Sequence, residues 1–360
     1  MIGTTLVGKY KIKSLIGSGG MGNIYACHRL DIGDEVAMKV LSEHVDSKEL
    51  LNEARAMGIC GHSNICKIFD YFEVNGQSYL VMEKLDGLDL SQVIEVKIHS
   101  SQRFTFRFIF GVIREAALAL QHAHRSVLHR DIKPSNLFLT TQGEVKVLDF
   151  GIAKFVNLRL DTDSFPGTEA YSSPDLWKDN KYDGSSFDCS HDVYSLGLIF
   201  YELFNLKRAP AGRSAGAGAA VTLSSAENLA PKSWEEFFCK WISAKKSERF
   251  KNSDELLAAI DLLYKGEFNL RPEVQQEVQN AQFHINQKKT LRVTSPEIIH
   301  KSGIPNLKNS WLMVLTFMVL IMGCLIIEHT LNNDYHIDSH DKALEQYVKY
   351  GKGRNISSQR

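Results

Sequence analysis

The chain has little patterned cysteine, no net charge and no internal repeat. Its six cysteines (Cys27, Cys60, Cys66, Cys189, Cys239 and Cys324) form no C-x-x-C pair. Nor do they make a Cys/His cluster, so a structural zinc site or a disulfide framework is excluded. A reducing compartment is expected for most of the chain. Lys+Arg and Asp+Glu number 42 each, so no overall charge draws the protein to nucleic acid. Residues 1–10 lack a basic flank followed by an apolar run, and no signal peptide is expected there. What is present is ample apolar material, 44% hydrophobic with 10% aromatic, in 360 residues. That is enough for one large two-lobed domain with appendages.

Apolar alternation broken by glycine predicts strands over 10–16, 23–29 and 35–40. Leu50, Ala54 and Met57 have helical spacing, with Asp46 or Ser47 as N-cap. Strand character returns over 65–73 and 77–83, a helix is predicted over 104–124, and short strands over 137–140 and 145–148. Helices then dominate, over 193–204, 234–242 and 254–264. A strand-rich part followed by a helix-rich part is an α+β order rather than alternating βαβ. The Ala/Gly/Ser-rich stretch 209–220 is expected as a loop, and the polar stretch 265–310, with Pro272, Pro296 and Pro305, as a linker.

Three motifs carry chemistry. In Ile16-Gly17-Ser18-Gly19-Gly20-Met21-Gly22-Asn23-Ile24, glycines allow a hairpin to lie close over phosphates and turn its N–H groups toward them. Alone this is equally a dinucleotide-binding turn or an ordinary glycine-rich hairpin. A strand rather than a helix follows it, against the dinucleotide reading, and no Gly-Lys-Ser/Thr closes it, against a P-loop. In Val36-Ala37-Met38-Lys39-Val40, strand alternation puts Ala37 and Lys39 on one face, where the lysine can reach phosphate oxygens. Glu53 stands in the following helical pattern, able to brace Lys39. The third motif is His129-Arg130-Asp131-Ile132-Lys133-Pro134-Ser135-Asn136, followed across two short strands by Asp149-Phe150-Gly151.

Here the chain resembles the eukaryotic-like protein kinases, specifically their bacterial serine/threonine branch. The resemblance is collinear over about residues 8–265 and extends through Gly167-Thr168-Glu169-Ala170-Tyr171-Ser172-Ser173-Pro174-Asp175 to Asp192-Val193-Tyr194-Ser195-Leu196-Gly197. It implies a bilobal kinase fold, an antiparallel sheet plus one helix above a mainly helical lobe. It also implies transfer of the γ-phosphoryl group of ATP to serine or threonine hydroxyls of proteins, with Mg²⁺ or Mn²⁺. By resemblance, Asp131 orients the acceptor hydroxyl and takes its proton, Lys133 neutralises the γ-phosphoryl group, and Lys39, braced by Glu53, clamps the α/β-phosphates. Asn136 and Asp149 hold the metal ions, whose hard character suits oxygen ligands. Met82 backs the adenine pocket, Glu83 and Leu85 bond the adenine edge through their backbone, and Ile16, Ile24, Ala37 and Phe138 sandwich the ring.

The sequence departs from the family pattern in places. Asp175 stands where the family has glutamate, paired with an arginine that is here Arg249. Tyr194 replaces a tryptophan of other branches, and the link from Lys39 to Glu53 is a few residues short. His124 and His129 are expected as structural histidines of the core. Between Asp149 and Asp175, Thr162 and then Ser164 are the expected autophosphorylation sites, meeting the Arg130 cation; the chain would thus be its own substrate in trans, and a dimer. The rival class is a pseudokinase scaffold, disfavoured by the presence of Lys39, Asp131 and Asp149. A small-molecule kinase of the aminoglycoside type lacks the peptide-docking segment from Asp149 to Asp175.

Residues 311–327 carry no charge over 17 positions, about 26 Å as a helix, and are expected to cross a membrane. Trp311 suits the interfacial belt. Lys288, Lys289, Arg292, Lys301 and Lys308 precede the span, whereas Glu328, Asp334, Asp338 and Asp341 follow it. The positive-inside rule puts a catalytic domain (8–265) and a juxtamembrane linker (266–310) in the cytoplasm, and a short tail (328–360) outside the inner membrane.

Overall fold

A computed structural model of the chain describes residues 1–19, 22–41, 61–150, 169–178, 181–182, 187–208, 232–265 and 269–293. The helix expected around Leu50–Met57, with Glu53, lies outside the described residues, as do Gly20, Met21, Thr162, Ser164 and the span at 311–327. The chain divides into two units, Met1–Thr290 and Leu291–Arg360, and almost all described residues belong to the first.

The glycine-broken alternation folds into a six-stranded antiparallel sheet. Its strands are β1 (Thr5–Leu6), β2 (Tyr10–Gly19), β3 (Gly22–Arg29), β4 (Glu35–Leu41), β5 (Ile68–Val74) and β6 (Gln77–Glu83), in the order β1-β2-β3-β4-β6-β5. One face buries Tyr10, Ile12, Cys27, Val36, Met38 and Val81. Tyr10, Phe72 and Tyr79 stack at 5.6 and 5.2 Å between ring centroids. Strand alternation therefore leaves Ala37 and Lys39 on the opposite face. Gly22 turns the β2–β3 hairpin at a φ of +128°, and a Cβ there would lie 1.9 Å from the Val40 carbonyl oxygen, so only glycine fits.

The second lobe begins with β7 (Gly87–Asp89), which pairs with β8 (Leu137–Thr140), itself paired with β9 (Val145–Val147). Its helices are α1 (Leu90–Ser100), α2 (Phe106–Ala123), α3 (Cys189–Asn205), α4 (Lys232–Trp241), α5 (Ser253–Leu263) and α6 (Arg271–Val293). Asp89, Thr105, Asp188 and Asn252 cap α1, α2, α3 and α5 through their side chains. α3 is buried almost all round. Gly197 admits Trp241 and Ile242 so closely that a Cβ would stand 2.7 Å from Ile242 Cγ2 and 3.0 Å from Trp241 Cδ1. The Trp241 indole N–H donates to the Val193 carbonyl at 2.6 Å.

Two segments differ from the sequence reading. The stretch expected as a linker from 266 is, over Arg271–Val293, a helix packed on the second lobe. Val274, Val278 and Ala281 are buried along it behind Leu270, and Lys97 meets Glu277 at 2.9 Å. Pro272 sits in its first turn, where the missing N–H costs nothing. Only a narrow apolar stripe marks this helix, which is why its polar composition reads as a linker. Helix α1 was also unforeseen; its capping box, Asp89 with Gln92, is its clearest signal.

Candidate active site

The loop Val127–Asn136 is held from beneath by one carboxylate. Asp192, in the first turn of α3 and 1% exposed, accepts the backbone N–H of His129 (2.8 Å) and of Arg130 (2.8 Å) and lies 3.0 Å from His124 Nε2. Burial pushes the Asp192 carboxyl up, but the hydrogen bonds from His124 and the His129 backbone outweigh it and hold it below the usual range. His129 is fully buried, its Nε2 2.8 Å from the Leu148 carbonyl and its ring 4.6 Å from Phe150; burial keeps its pKa below that of free imidazole. Arg130 and Asp149 both have left-handed backbones, φ 68° and 55°, costing about 1–3 kcal/mol each and typical of functional loops.

On that scaffold Asp131 Oδ2 accepts from Lys133 Nζ at 2.6 Å. Asn136 Nδ2 donates to the Asp131 carbonyl at 2.7 Å and lies 3.3 Å from Asp131 Oδ2. The Leu148 N–H donates to the Asn136 carbonyl at 2.9 Å, which brings the end of β9, and with it Asp149, to this cluster. Lys39, 3% exposed, reaches across 110 residues to Asp149 Oδ2 at 2.8 Å. The expected brace for Lys39, Glu53, is not among the described residues; the partner described is Asp149. Asn136 spends its amide nitrogen on the loop, which leaves its oxygen as an acceptor, and Asp149 has a second oxygen beside the one bonded to Lys39. Two hard oxygen donors on adjoining backbones fit a divalent cation of the Mg²⁺ class.

The predicted nucleotide residues come together around this cluster in part. Gly17 pairs with Ile24 across β2 and β3, with Ser18 and Gly19 opposite Asn23 and Gly22. Ala37 pairs with Met82 across β4 and β6. Ala37 is buried, whereas Ile24, Met82, Leu85 and Phe138 are half-buried and Ile16 is exposed, so all but Ala37 keep surface outside the core. Glu83 lies at the end of β6, its N–H donating to the Lys67 carbonyl at 2.8 Å and its carboxylate 3.4 Å from Lys146.

Beside Asp131 a pocket opens between Arg130, Tyr171, Ser173, Phe187 and His191. Its wall is tied down at Asp175. Arg249 Nη2 lies 2.8 Å from Asp175 Oδ1, and Ser173 Oγ bonds both Asp175 and Arg249. The pairing expected despite the shorter aspartate is therefore made. Burial favours the protonated acid, but His191, Ser173 and Arg249 together hold the Asp175 carboxyl well below the usual range. Tyr194, in place of the family's tryptophan, supports the Arg249 guanidinium 4.5 Å above its ring. Neither His191 nor the structural role of Asp192 is marked by a contiguous motif; the partners of both are brought to them only by folding.

Fold and site together define a two-lobed domain, an antiparallel sheet and a helical lobe joined through Lys39 and Asp149. The chain belongs to the protein kinase domain family, whose pattern it matches over residues 10–283, which includes part of α6. It is 36% identical over 227 residues to serine/threonine-protein kinase PknA of Mycobacterium tuberculosis (strain H37Rv), covering 59% of this chain and 51% of that one. Serine/threonine-protein kinase PrkC of Bacillus subtilis (strain 168) is 30% identical over 244 residues, 65% of this chain and 36% of that one. The chain thus spans about half the length of the first of these relatives, and less of the second. The crystal structure of the M. tuberculosis PknI kinase domain superposes with a TM-score of 0.59 at 24% identity, covering 73% of this chain and 99% of that one, which shows the shared fold.

Proposed function

We propose that the chain is a serine/threonine protein kinase, transferring the γ-phosphoryl group of ATP to protein hydroxyls. The observation that carries this is two ion pairs, Lys133–Asp131 within the second lobe and Lys39–Asp149 from the sheet to the second lobe, at 2.6 and 2.8 Å. Asp131 orients the acceptor hydroxyl and receives its proton. Lys133, already on the same carboxylate, is placed to meet charge on the transferred group. Lys39, buried and pre-aimed, clamps the nucleotide phosphates. Such positioning and electrostatic groups make up most of what phosphoryl transfer asks of a protein. When bound with ATP, Mg²⁺ or Mn²⁺ neutralises phosphate charge; Asn136 and Asp149 are the residues that would hold it. The half-buried Ile24, Met82 and Phe138 and the buried Ala37, with the backbone of Glu83 and Leu85, are assigned to the adenine.

The reading extends to parts outside the described residues. Residues 311–327 form a single membrane span, with the kinase domain cytoplasmic and 328–360 outside the plasma membrane; the uncharged run and the basic flank before it support this. Among the described residues no helix is long and apolar enough to cross a membrane. Thr162, with Ser164 as the second choice, is the autophosphorylation site, modified in trans by a second copy. The test is incubation of the full chain in detergent with γ-³²P-ATP, Mg²⁺ and myelin basic protein, followed by phosphoamino-acid analysis and mass spectrometry. Phosphoserine and phosphothreonine on the acceptor, and phosphate at Thr162 or Ser164, are expected. Absence of label contradicts the activity, and phosphotyrosine alone contradicts the specificity.

A further inference from the structure

The first turn of α3 carries two adjacent side chains that do different jobs. Asp192 holds the catalytic loop, as described above. His191, 1% exposed, points the other way, and its Nε2 lies 2.9 Å from Asp175 Oδ2. Its other nitrogen, Nδ1, receives the backbone N–H of Asp188 at 2.9 Å and lies 3.1 Å from Asp188 Oδ1, a carboxylate that is itself paired with Lys246 at 2.8 Å. An Nε2 lone pair facing the Asp175 carboxylate would be repelled. Nε2 therefore carries a proton and donates to Asp175.

With a side chain as short as that of aspartate at 175, Arg249 does not take over this bond. Its Nε is committed to the Ser243 carbonyl, its Nη2 is shared between the Ala244 carbonyl (2.9 Å) and Asp175 Oδ1, and its Nη1 goes to Ser173. The guanidinium thus engages one carboxylate oxygen and leaves the second to His191. A bidentate clamp of both oxygens, the usual arrangement of an arginine–carboxylate pair, is replaced here by Arg249 and Ser173 on Oδ1 and His191 on Oδ2. Asp175 in turn fixes Ser173, and with it the wall of the pocket beside Asp131. The Ser195 hydroxyl, one turn along α3 from His191, ties the same wall by donating to the Tyr171 carbonyl at 2.7 Å.

We propose that His191 is a positioning residue for the protein substrate. By completing the coordination of Asp175 it locks the segment 169–176 to the same helical turn that holds the catalytic loop, so that the acceptor-binding wall and Asp131 keep one register. This rests on the kinase reading above.

The test uses the full chain in detergent, with His191→Ala, Asp175→Glu and the double variant. The longer glutamate can reach both Nη atoms of Arg249 and dispense with His191. His191→Ala is expected to raise KM for myelin basic protein about fivefold or more while leaving KM for ATP within about twofold, a loss of acceptor binding alone. Asp175→Glu in that background should recover most of the loss. A parallel rise in both KM values, an unchanged acceptor KM, or a double variant no better than His191→Ala overturns the proposal. Amide hydrogen exchange provides an arm independent of catalysis. In His191→Ala the N–H groups of Ser172 and Leu176, which donate to Glu169 and Ser173, should exchange about tenfold faster, with β8 and β9 unchanged. Unaltered exchange overturns the proposal even where no phosphate is transferred, and absence of transfer by the wild type sinks the kinase reading instead. If His191→Ala does not accumulate folded, Asp175→Asn, which preserves size and removes the charge, is expected to raise the acceptor KM in the same way; an unchanged value overturns the proposal.

Discussion

At the scale of the residue, the site is built from charges held where solvent is excluded. Lys39, Asp131 and Asp192 are each at most 5% exposed, and each has a partner of opposite charge or a set of aimed N–H groups. His129 contributes differently. It is buried and kept from protonating, so its folded pKa lies below the ordinary imidazole value of about 6.5. As pH falls through that value the unfolded chain takes up a proton that the folded one refuses, and stability falls. The slope is at most about 1.4 kcal/mol per pH unit for one proton. Unfolding by denaturant at pH 7.5 and pH 5.5 should therefore show a smaller pH dependence for His129→Gln than for wild type. Equal slopes would contradict the account of His129. The candidate catalytic residues are legible in the sequence because they stand in contiguous motifs. His191 was not, because its role depends on Asp175, which is brought to it only by folding.

At the scale of the element, strands and long helices were legible from periodicity: β8 was expected at the positions it occupies, and α2 within two residues at its start. Helix α6 was not, since its buried positions are sparse and its remainder is polar, so that only packing identifies it. Leu270 leads into it, 5% exposed, and its Cδ1 stands 2.6 Å from where a Cβ on Gly111 would be. If α6 is part of the folded domain, Leu270→Ala should lower the unfolding free energy by about 2–5 kcal/mol, as cavity formation in a core does. A change within about 0.5 kcal/mol, typical of a surface position, would mean that the segment behaves as a linker after all. The partly buried Lys97–Glu277 pair adds a second test: Lys97→Ala leaves Glu277 uncompensated, a loss of about 2–4 kcal/mol by chemical denaturation. An effect below about 1 kcal/mol, as for a surface pair, contradicts this.

At the scale of the whole molecule, the proposed topology places every charge-bearing catalytic residue on one side of a membrane. Protease added to intact spheroplasts should trim only the C-terminal tail, a few kilodaltons; digestion of the kinase domain would reverse the orientation, and recovery of the chain in the soluble fraction without detergent would remove the span. The family membership is independent of that outcome, because it rests on residues 10–283. The central claim is that this assembly transfers phosphate through Asp131. The most direct measurement compares wild type with Asp131→Asn for phosphate transfer and for ATP binding. The account predicts a fall in transfer of about 10²–10⁴-fold, the usual contribution of a positioned base. ATP affinity should change by less than about threefold, since Lys39 and the sheet-side residues remain in place. Retention of more than about a third of the wild-type turnover would contradict it.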